Sequence, residues 1–314
     1  MSVVIPTRGR PELLSRALHS VFVQTYSDLE VIVVIDGPDS TTESTLREFE
    51  DKRLRVVALS ESVGGSEARN VGIRAGLGDW LALLDDDDEW SPDKLAEQMA
   101  VADQAGPQTF IACRYIDRSS NAEMVQPAVA PGKNQPISEY LFCEASILGF
   151  RKGFLQTSTW VAPRKAFLEV PFTKGLLRNQ DTDWLLRAVP ALSLDVIVVW
   201  KPLSIFHNEL RSGRVTGKSD WRYSMDWAIE RKELFTKQAF AFFMAIVCAY
   251  NARVQGEPIR ELFHQLKVAR LHGSISPKCL WLFFANWFLF PMGRFGIRTR
   301  IQNFFSARVR ASSL

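Results

Sequence analysis

The chain predicts an α/β fold with a Rossmann-like, mostly parallel central sheet flanked by helices. Three observations predict it. Short apolar, β-branched runs alternate with helix-like segments through roughly the first hundred residues. The runs are apolar throughout, as strands covered on both faces are. The polar residues Thr7-Arg8, Asp36 and the acids at 85–88 all fall where such strands should end. Open α/β sheets bind their ligands at that edge.

In order, residues 2–5 form a first strand closed by Pro6, and Pro11 opens a helix whose apolar face holds Leu14, Leu18, Val21 and Phe22. Residues 29–35 are a second strand, ended by Asp36-Gly37-Pro38. A helix over 41–49 and a third strand over 54–59 follow. Gly64-Gly65 precede a helix over 66–75, and residues 80–84 are the fourth strand. Ser91 and Pro92 read as the cap and first turn of the next helix. Further strands are expected over 110–116, 155–162 and 197–200, and a helix starts near Gln180-Asp181-Thr182-Asp183. After Arg214 the texture turns helical, basic and aromatic, with one long helix expected over 221–250. The expected division is a domain over 1–219, with halves 1–107 and 108–219, and a C-terminal helical region over 220–314.

The most informative segment is Asp85-Asp86-Asp87-Asp88, directly after the apolar 80–84 run. Carboxylates crowded at one strand end repel one another unless a cation sits among them. Hard oxygen ligands favour Mg²⁺ or Mn²⁺, whose remaining coordination positions go to waters and substrate phosphates. For an acid run alone, a solvated loop is the competing explanation.

Apolar residues make up 46% of the chain, enough for a proper core. The net charge of +3 argues against a dedicated nucleic-acid binder. From residue 251 onward ten Lys/Arg face two Asp/Glu, a surplus of 8, so the remainder carries −5. Cys113, Cys143, Cys248 and Cys279 lack CxxC spacing, which argues against zinc and a disulfide framework. No charged, apolar leader precedes the first strand, so a cytoplasmic location is expected. Residues 279–291 are dense in Trp, Phe and Leu but too short to span a bilayer, and Arg294, Arg298, Arg300, Arg308 and Arg310 follow. Such a segment suits a helix lying in an anionic membrane interface at the inner face of the cell membrane. A packed helix or a contact between copies, making a homo-oligomer, is the alternative.

Four motifs in order, Ser2-Val3-Val4-Ile5-Pro6-Thr7, Glu30 through Gly37, Ala68-Arg69-Asn70-Val71-Gly72 and Leu83-Leu84-Asp85-Asp86-Asp87-Asp88, resemble the family-2 glycosyltransferases of the GT-A fold. The match is closest to about Leu95, looser to His207, and weak after Ser219. The resemblance implies an inverting transfer of sugar from a nucleoside-diphosphate sugar to a glycan or lipid-linked acceptor hydroxyl, with Mn²⁺ or Mg²⁺ as cofactor. It implies nucleotide-sugar contacts from Pro6, Thr7, Arg8, Asp36, Arg69, Asp85 and Asp86. Ile35 stands where the family often has a further acid. It also implies metal ligation by Asp87, with His207 as a late ligand, and a general base at Asp181, where Gln180 replaces the usual Glu. Asp183 is the rival base. Arg69 as a solvated helix arginine, Thr7 as a turn residue and His207 as a structural histidine are the competing assignments. A sugar-nucleotide pyrophosphorylase is disfavoured because Pro6 to Pro11 makes a poor glycine-rich loop. A non-catalytic nucleotide-sugar binder is disfavoured because Asp181 and the metal acids are present.

Overall fold

The apolar runs become the strands their composition calls for. The computed structural model describes residues 1–119, 122–147, 151–208 and 220–289. It opens with β1 (Ser2–Thr7), α1 (Pro11–Phe22), β2 (Glu30–Ile35), α2 (Ser40–Arg47), β3 (Leu54–Ala58), α3 (Gly65–Ala75) and β4 (Trp80–Leu83). There follow β5 (Glu89–Trp90), α4 (Lys94–Ala105), β6 (Thr109–Ser119), β7 (Ala122–Gln126), α5 (Ile137–Phe142), β8 (Val161–Pro163), α6 (Arg164–Glu169), α7 (Gln180–Ala191) and β9 (Asp195–His207). The sheet runs β3-β2-β1-β4-β8-β6-β9-β5, with β7 paired to β6.

β1 lies between β2 and β4, parallel to both, and its register sets Thr7 beside Ile35 and Val4 beside Leu83. The Asp36 amide continues that ladder to the Thr7 carbonyl at 2.9 Å, and the Leu84 amide reaches the Val4 carbonyl at 3.1 Å. Asp36 and the acid run therefore emerge on one edge of the sheet. Val3, Ile5, Leu14, Leu18, Val31 and Val33 are fully buried in the core behind it. α3 packs against β1 and β2 through Gly72, where a Cβ would come within 2.4 Å of Val4 Cγ1. Only glycine lets that helix lie so close.

Several expectations are corrected. β3 is not covered on both faces: it pairs only with β2, and Arg55 and Val56 are exposed, as suits an edge strand guarded by charge. The sheet turns mixed in its middle, since β8 is antiparallel to β4 and β6, and β5 is antiparallel to β9. β9 extends far beyond the expected 197–200, pairing in parallel with β6 across a bulge. α4 starts later than Ser91-Pro92 implies, at an Asp93 cap whose side chain makes no capping bond. Gln24 supplies it instead, its Oε1 accepting from the Leu95 amide at 3.0 Å.

The chain divides into two compact units. The first holds Met1–Arg118, Met124–Leu141 and Lys152–Gly217, and the second Ser119–Glu123, Phe142–Arg151 and Lys218–Leu314. Among its described residues from 220 onward the second unit is helical: α8 (Trp221–Glu230), α9 (Lys237–Phe243), α10 (Tyr250–Val254), α11 (Ile259–His272) and α12 (Pro277–Phe284). A π-helical stretch, Met244–Ala249, joins α9 to α10, and another, Ala285–Leu289, extends α12. The single helix expected over 221–250 is broken at 231–236, where Thr236 caps α9 by accepting from the Ala239 amide at 3.1 Å. Phe235, set in this break, packs among Trp227, Phe240 and Phe243. Among the described residues no helix is long and apolar enough to cross a membrane.

Candidate active site

The ends of β1, β2 and β4 open onto a cleft of about 340 Å³, lined in part by Pro6, Thr7, Arg8, Asp36, Arg69, Asp85, Asp86 and Asp87. Arg10, Ser62, Gly64, Gly65, Ala68, Leu177 and Gln180 complete the lining. Asp181 and His207 are not part of it.

Asp36 is 7% exposed and ties down the loop before α3. It accepts from Val63 N at 2.6 Å, Gly64 N at 3.1 Å and Ser62 Oγ at 3.0 Å. Gly64 adopts φ +83°, a left-handed conformation open to glycine. These bonds use most of the acceptor positions of the carboxylate, so Asp36 is already committed to its own chain. Arg8 Nη1 reaches Ser62 Oγ at 2.7 Å from the other side.

The four acids divide. Asp85 pairs with Arg69 Nη2 at 2.6 Å, and Arg69 Nη1 donates to Gln180 Oε1 at 2.8 Å, so one guanidinium links the strand end to α7. Asp86 accepts from Thr7 Oγ1 at 2.8 Å and Arg10 Nη1 at 3.1 Å. The same Arg10 nitrogen is 3.3 Å from Asp87 Oδ2. Burial pushes the Asp86 carboxyl up to about 6; Arg10 opposes the rise and the Asp87 charge adds to it. Asp88 turns inward instead. It is fully buried and takes Gln156 Nε2 and Ser158 Oγ, both at 2.6 Å.

α7 starts at Asn179, a left-handed residue (φ 59°) that makes no side-chain cap bond. Asp181 and Asp183 thus sit in the first turn, near the positive end of the helix, and neither is the cap. Asp181 Oδ1 accepts from the Thr182 amide at 2.7 Å. Asp183 is fully buried on Thr173 Oγ1 at 2.7 Å and Arg187 Nε at 2.8 Å. The segment ahead of α7 is held to α3 by Asn70, whose amide bonds both the carbonyl and the amide of Phe172 at 2.9 Å. His207 is 4% exposed, its Nε2 2.5 Å from Glu89 Oε1, which Arg16 Nε also meets at 3.1 Å. The geometry therefore turns His207 to a carboxylate beside the acid run, not into the cleft.

Among the described residues no group of three or more His, Cys, Asp and Glu side chains is arranged to hold a metal. The oxygens of Asp86 and Asp87 nevertheless converge on one cationic nitrogen, that of Arg10. Two carboxylates around a single positive point, at the edge of an open cleft, fit a hard divalent cation that takes few protein ligands. Sequence reasoning missed Arg10, Ser62, Asn70 and Glu89 as site builders. The available signal was Arg10 beside the α1 start, facing the same edge as Thr7.

The family model "Glycosyl transferase family 2" matches residues 2–159, a stretch that includes every cleft residue except Leu177 and Gln180. The amylovoran biosynthesis glycosyltransferase AmsB of Erwinia amylovora is 29% identical over 257 residues, covering 76% of this chain and 82% of that protein. Among solved structures, S. aureus TarS 1–349 in complex with UDP-GlcNAc aligns with TM-score 0.57 at 17% identity, over 91% of this chain and 90% of that one. The mannosyltransferase PcManGT from Pyrobaculum calidifontis, in complex with GDP-Man and Mn²⁺, aligns with TM-score 0.55 at 16% identity, over 91% and 85%. At those identities the structural likeness speaks for the fold. With its strand-end motifs inside the matched stretch, the chain belongs to glycosyl transferase family 2 and is a glycosyltransferase of the GT-A fold.

Proposed function

We propose that the cleft binds a nucleoside-diphosphate sugar and that the enzyme passes the sugar to an acceptor hydroxyl with inversion, in the assembly of a bacterial-type polysaccharide or glycolipid. The observation that carries this reading is the mixed charge of the cleft. Asp85, Asp86 and Asp87 face Arg8, Arg10 and Arg69 across one sheet edge, a lining suited to a diphosphate and a cation together. Pro6, Thr7, Arg8 and Asp36 take the nucleoside side, and Arg69, Asp85 and Asp86 the ribose and diphosphate. Asp87, with Asp86, would hold Mn²⁺ or Mg²⁺; when bound, that ion offsets charge on the departing nucleoside diphosphate. His207 is left out of this ligand set because Glu89 holds its ring. Asp181 takes the proton of the acceptor hydroxyl as its oxygen attacks the anomeric carbon and the nucleoside diphosphate leaves from the opposite face. The neighbours solved with UDP-GlcNAc and with GDP-Man and Mn²⁺, and the amylovoran relative, support the donor class and the polymer setting. The test is a melting screen of UDP-, GDP- and dTDP-sugars with and without Mn²⁺. One donor should raise the melting temperature, and the shift should vanish in excess chelator. A donor shift that survives chelation counts against the cation; no shift with any donor counts against the binding reading.

We further propose residues 1–219 as the catalytic domain and residues 220–314 as the region that meets an anionic membrane at its inner face. On α12 and its extension, Leu280, Trp281, Phe284, Phe288 and Leu289 are 36–57% exposed. The basic residues from Arg294 to Arg310 lie outside the described residues. Apolar burial and charge attraction would act together there. Sedimentation with anionic vesicles should retain the protein, high salt should release part of it, and Trp281→Ala with Phe284→Ala should weaken the salt-resistant part. Equal binding to neutral lipid removes the charge contribution. No binding to either leaves the stripe as a contact between copies.

A further inference from the structure

The cleft carries a cation of its own at the point where the proposed function puts a metal. Arg10 Nη1 lies 3.1 Å from Asp86 Oδ1 and 3.3 Å from Asp87 Oδ2. Those carboxylates are 8% and 7% exposed, and two such charges side by side need a counter-ion to remain ionised together. The three cleft arginines are not held alike. Arg69 is 12% exposed and fixed at both ends, by Asp85 and Gln180. Arg10 is 25% exposed and reaches the acids through one nitrogen. It is the counter-ion that can be displaced without dismantling the wall of the cleft.

A bare divalent cation arriving at Asp86 and Asp87 has to displace Arg10 or share oxygens with it, and offers the guanidinium nothing in return. A diphosphate arriving with the cation offers phosphate oxygens, which a guanidinium binds through paired, charge-assisted hydrogen bonds. We propose that Arg10 is a positioning residue that competes with the divalent cation for Asp86 and Asp87. It weakens binding of the free ion and makes the ion's stay depend on the nucleoside diphosphate. Binding of ion and nucleotide is then coupled, each strengthening the other by the same factor. The inference rests on the reading of the cleft as a cation and diphosphate site.

The test measures free Mn²⁺ by electron paramagnetic resonance, for the wild type, Arg10→Gln, Arg10→Met, Arg10→Lys and Asp87→Ala, with and without UDP or GDP. A partly exposed ion pair is worth up to about fivefold in an equilibrium constant. Arg10→Gln and Arg10→Met should therefore bind Mn²⁺ alone about fivefold more tightly, while the factor by which nucleotide tightens Mn²⁺ shrinks. Arg10→Lys, which keeps the charge, should stay near the wild type. An arginine that only shaped the cleft would on removal weaken Mn²⁺ and nucleotide alike, and that result overturns the inference. Unchanged Mn²⁺ affinity in both neutral variants also overturns it, and if Asp87→Ala still loses Mn²⁺ the cation reading survives. If the wild type binds no Mn²⁺ even with UDP or GDP present, or Asp87→Ala binds it equally well, both fall.

Discussion

Two acidic stretches approach the site on different backbones. Residues 85–88 leave a strand and residues 181–183 enter a helix, yet both divide the same way. After β4, Asp85, Asp86 and Asp87 face the cleft on arginines, and Asp88 is buried on Gln156 and Ser158. In α7, Asp183 is buried on Thr173 and Arg187, while Asp181 is only partly buried. In the helix the split follows from rotation, since residues two apart point about 200° from each other. In the turn after β4 it follows from the chain folding back toward β5. The lesson is that neighbouring carboxylates are sorted by what they touch: one kind keeps the framework, and the other is the kind we propose for chemistry.

The largest expected effect separates the two helix acids. Asp181→Asn should lower turnover by about 10² or more with donor binding retained, because the amide cannot take a proton. Asp183→Asn should cost about 2 kcal/mol of stability by unpairing the Arg187 side of a buried pair, with turnover of the folded protein largely kept. Turnover measured beside thermal melts reads both, and the reverse pattern moves the base to Asp183. The same contrast at the strand end should be smaller. Asp87→Ala should weaken cation-dependent nucleotide binding by about tenfold with little change in melting, whereas Asp88→Ala should destabilise by about 1–3 kcal/mol through its stranded buried donors. Titration calorimetry and melting of both variants test the pair.

The smallest effect sharpens the comparison with a buried charge that has no such partner. Lys94 is fully buried, and among the described residues its Nζ has no hydrogen-bond partner, only the Trp90 ring with its centroid 3.9 Å away. Burial pushes its ammonium down to about 8 from 10.5. Between those values the folded protein holds fewer protons than the unfolded chain, so stability should rise with pH; below 8 the cost is fully present. Cys113, pushed up to about 11 from 9 by burial, acts in the opposite sense above pH 9, which leaves pH 8–9 as the clean window. Lys94→Met should flatten that rise and stabilise by about 1 kcal/mol at pH 7. Denaturant melts at pH 7, 8 and 9 check it, and a destabilised variant would show that the Lys94–Trp90 contact outweighs the burial.

The strand-end half of the site was legible because its signals are local. An apolar run, a proline or glycine, and the next polar residue together give the element, its end and its chemistry, as at Ile5-Pro6-Thr7 and Ile35-Asp36-Gly37. What was not legible depends on partners far along the chain. Nothing near Asp88 announces Gln156 or Ser158, nothing near His207 announces Glu89, and Gln24 capping α4 leaves no mark at Ser91. The helix break at 231–236 was hidden for a different reason. Residues 221–250 keep a helix-like composition throughout, and the stop comes from a Thr236 cap and the burial of Phe235 within the aromatic cluster.

The Asn70 bridge bears on how the enzyme can be recombined. Asn70 holds the segment ahead of α7 through the main chain of residue 172 alone, bonding its carbonyl and its amide. These bonds set the register, and the side chain at 172 is held as well: the Phe172 ring is 2% exposed and stacks on Trp160, Phe167 and Trp184. A chimera that imports the 152–208 segment from a relative must therefore keep a large aromatic side chain at that joint. It must also keep the spacing from 172 to 181, or Asp181, the base we propose, arrives rotated out of place.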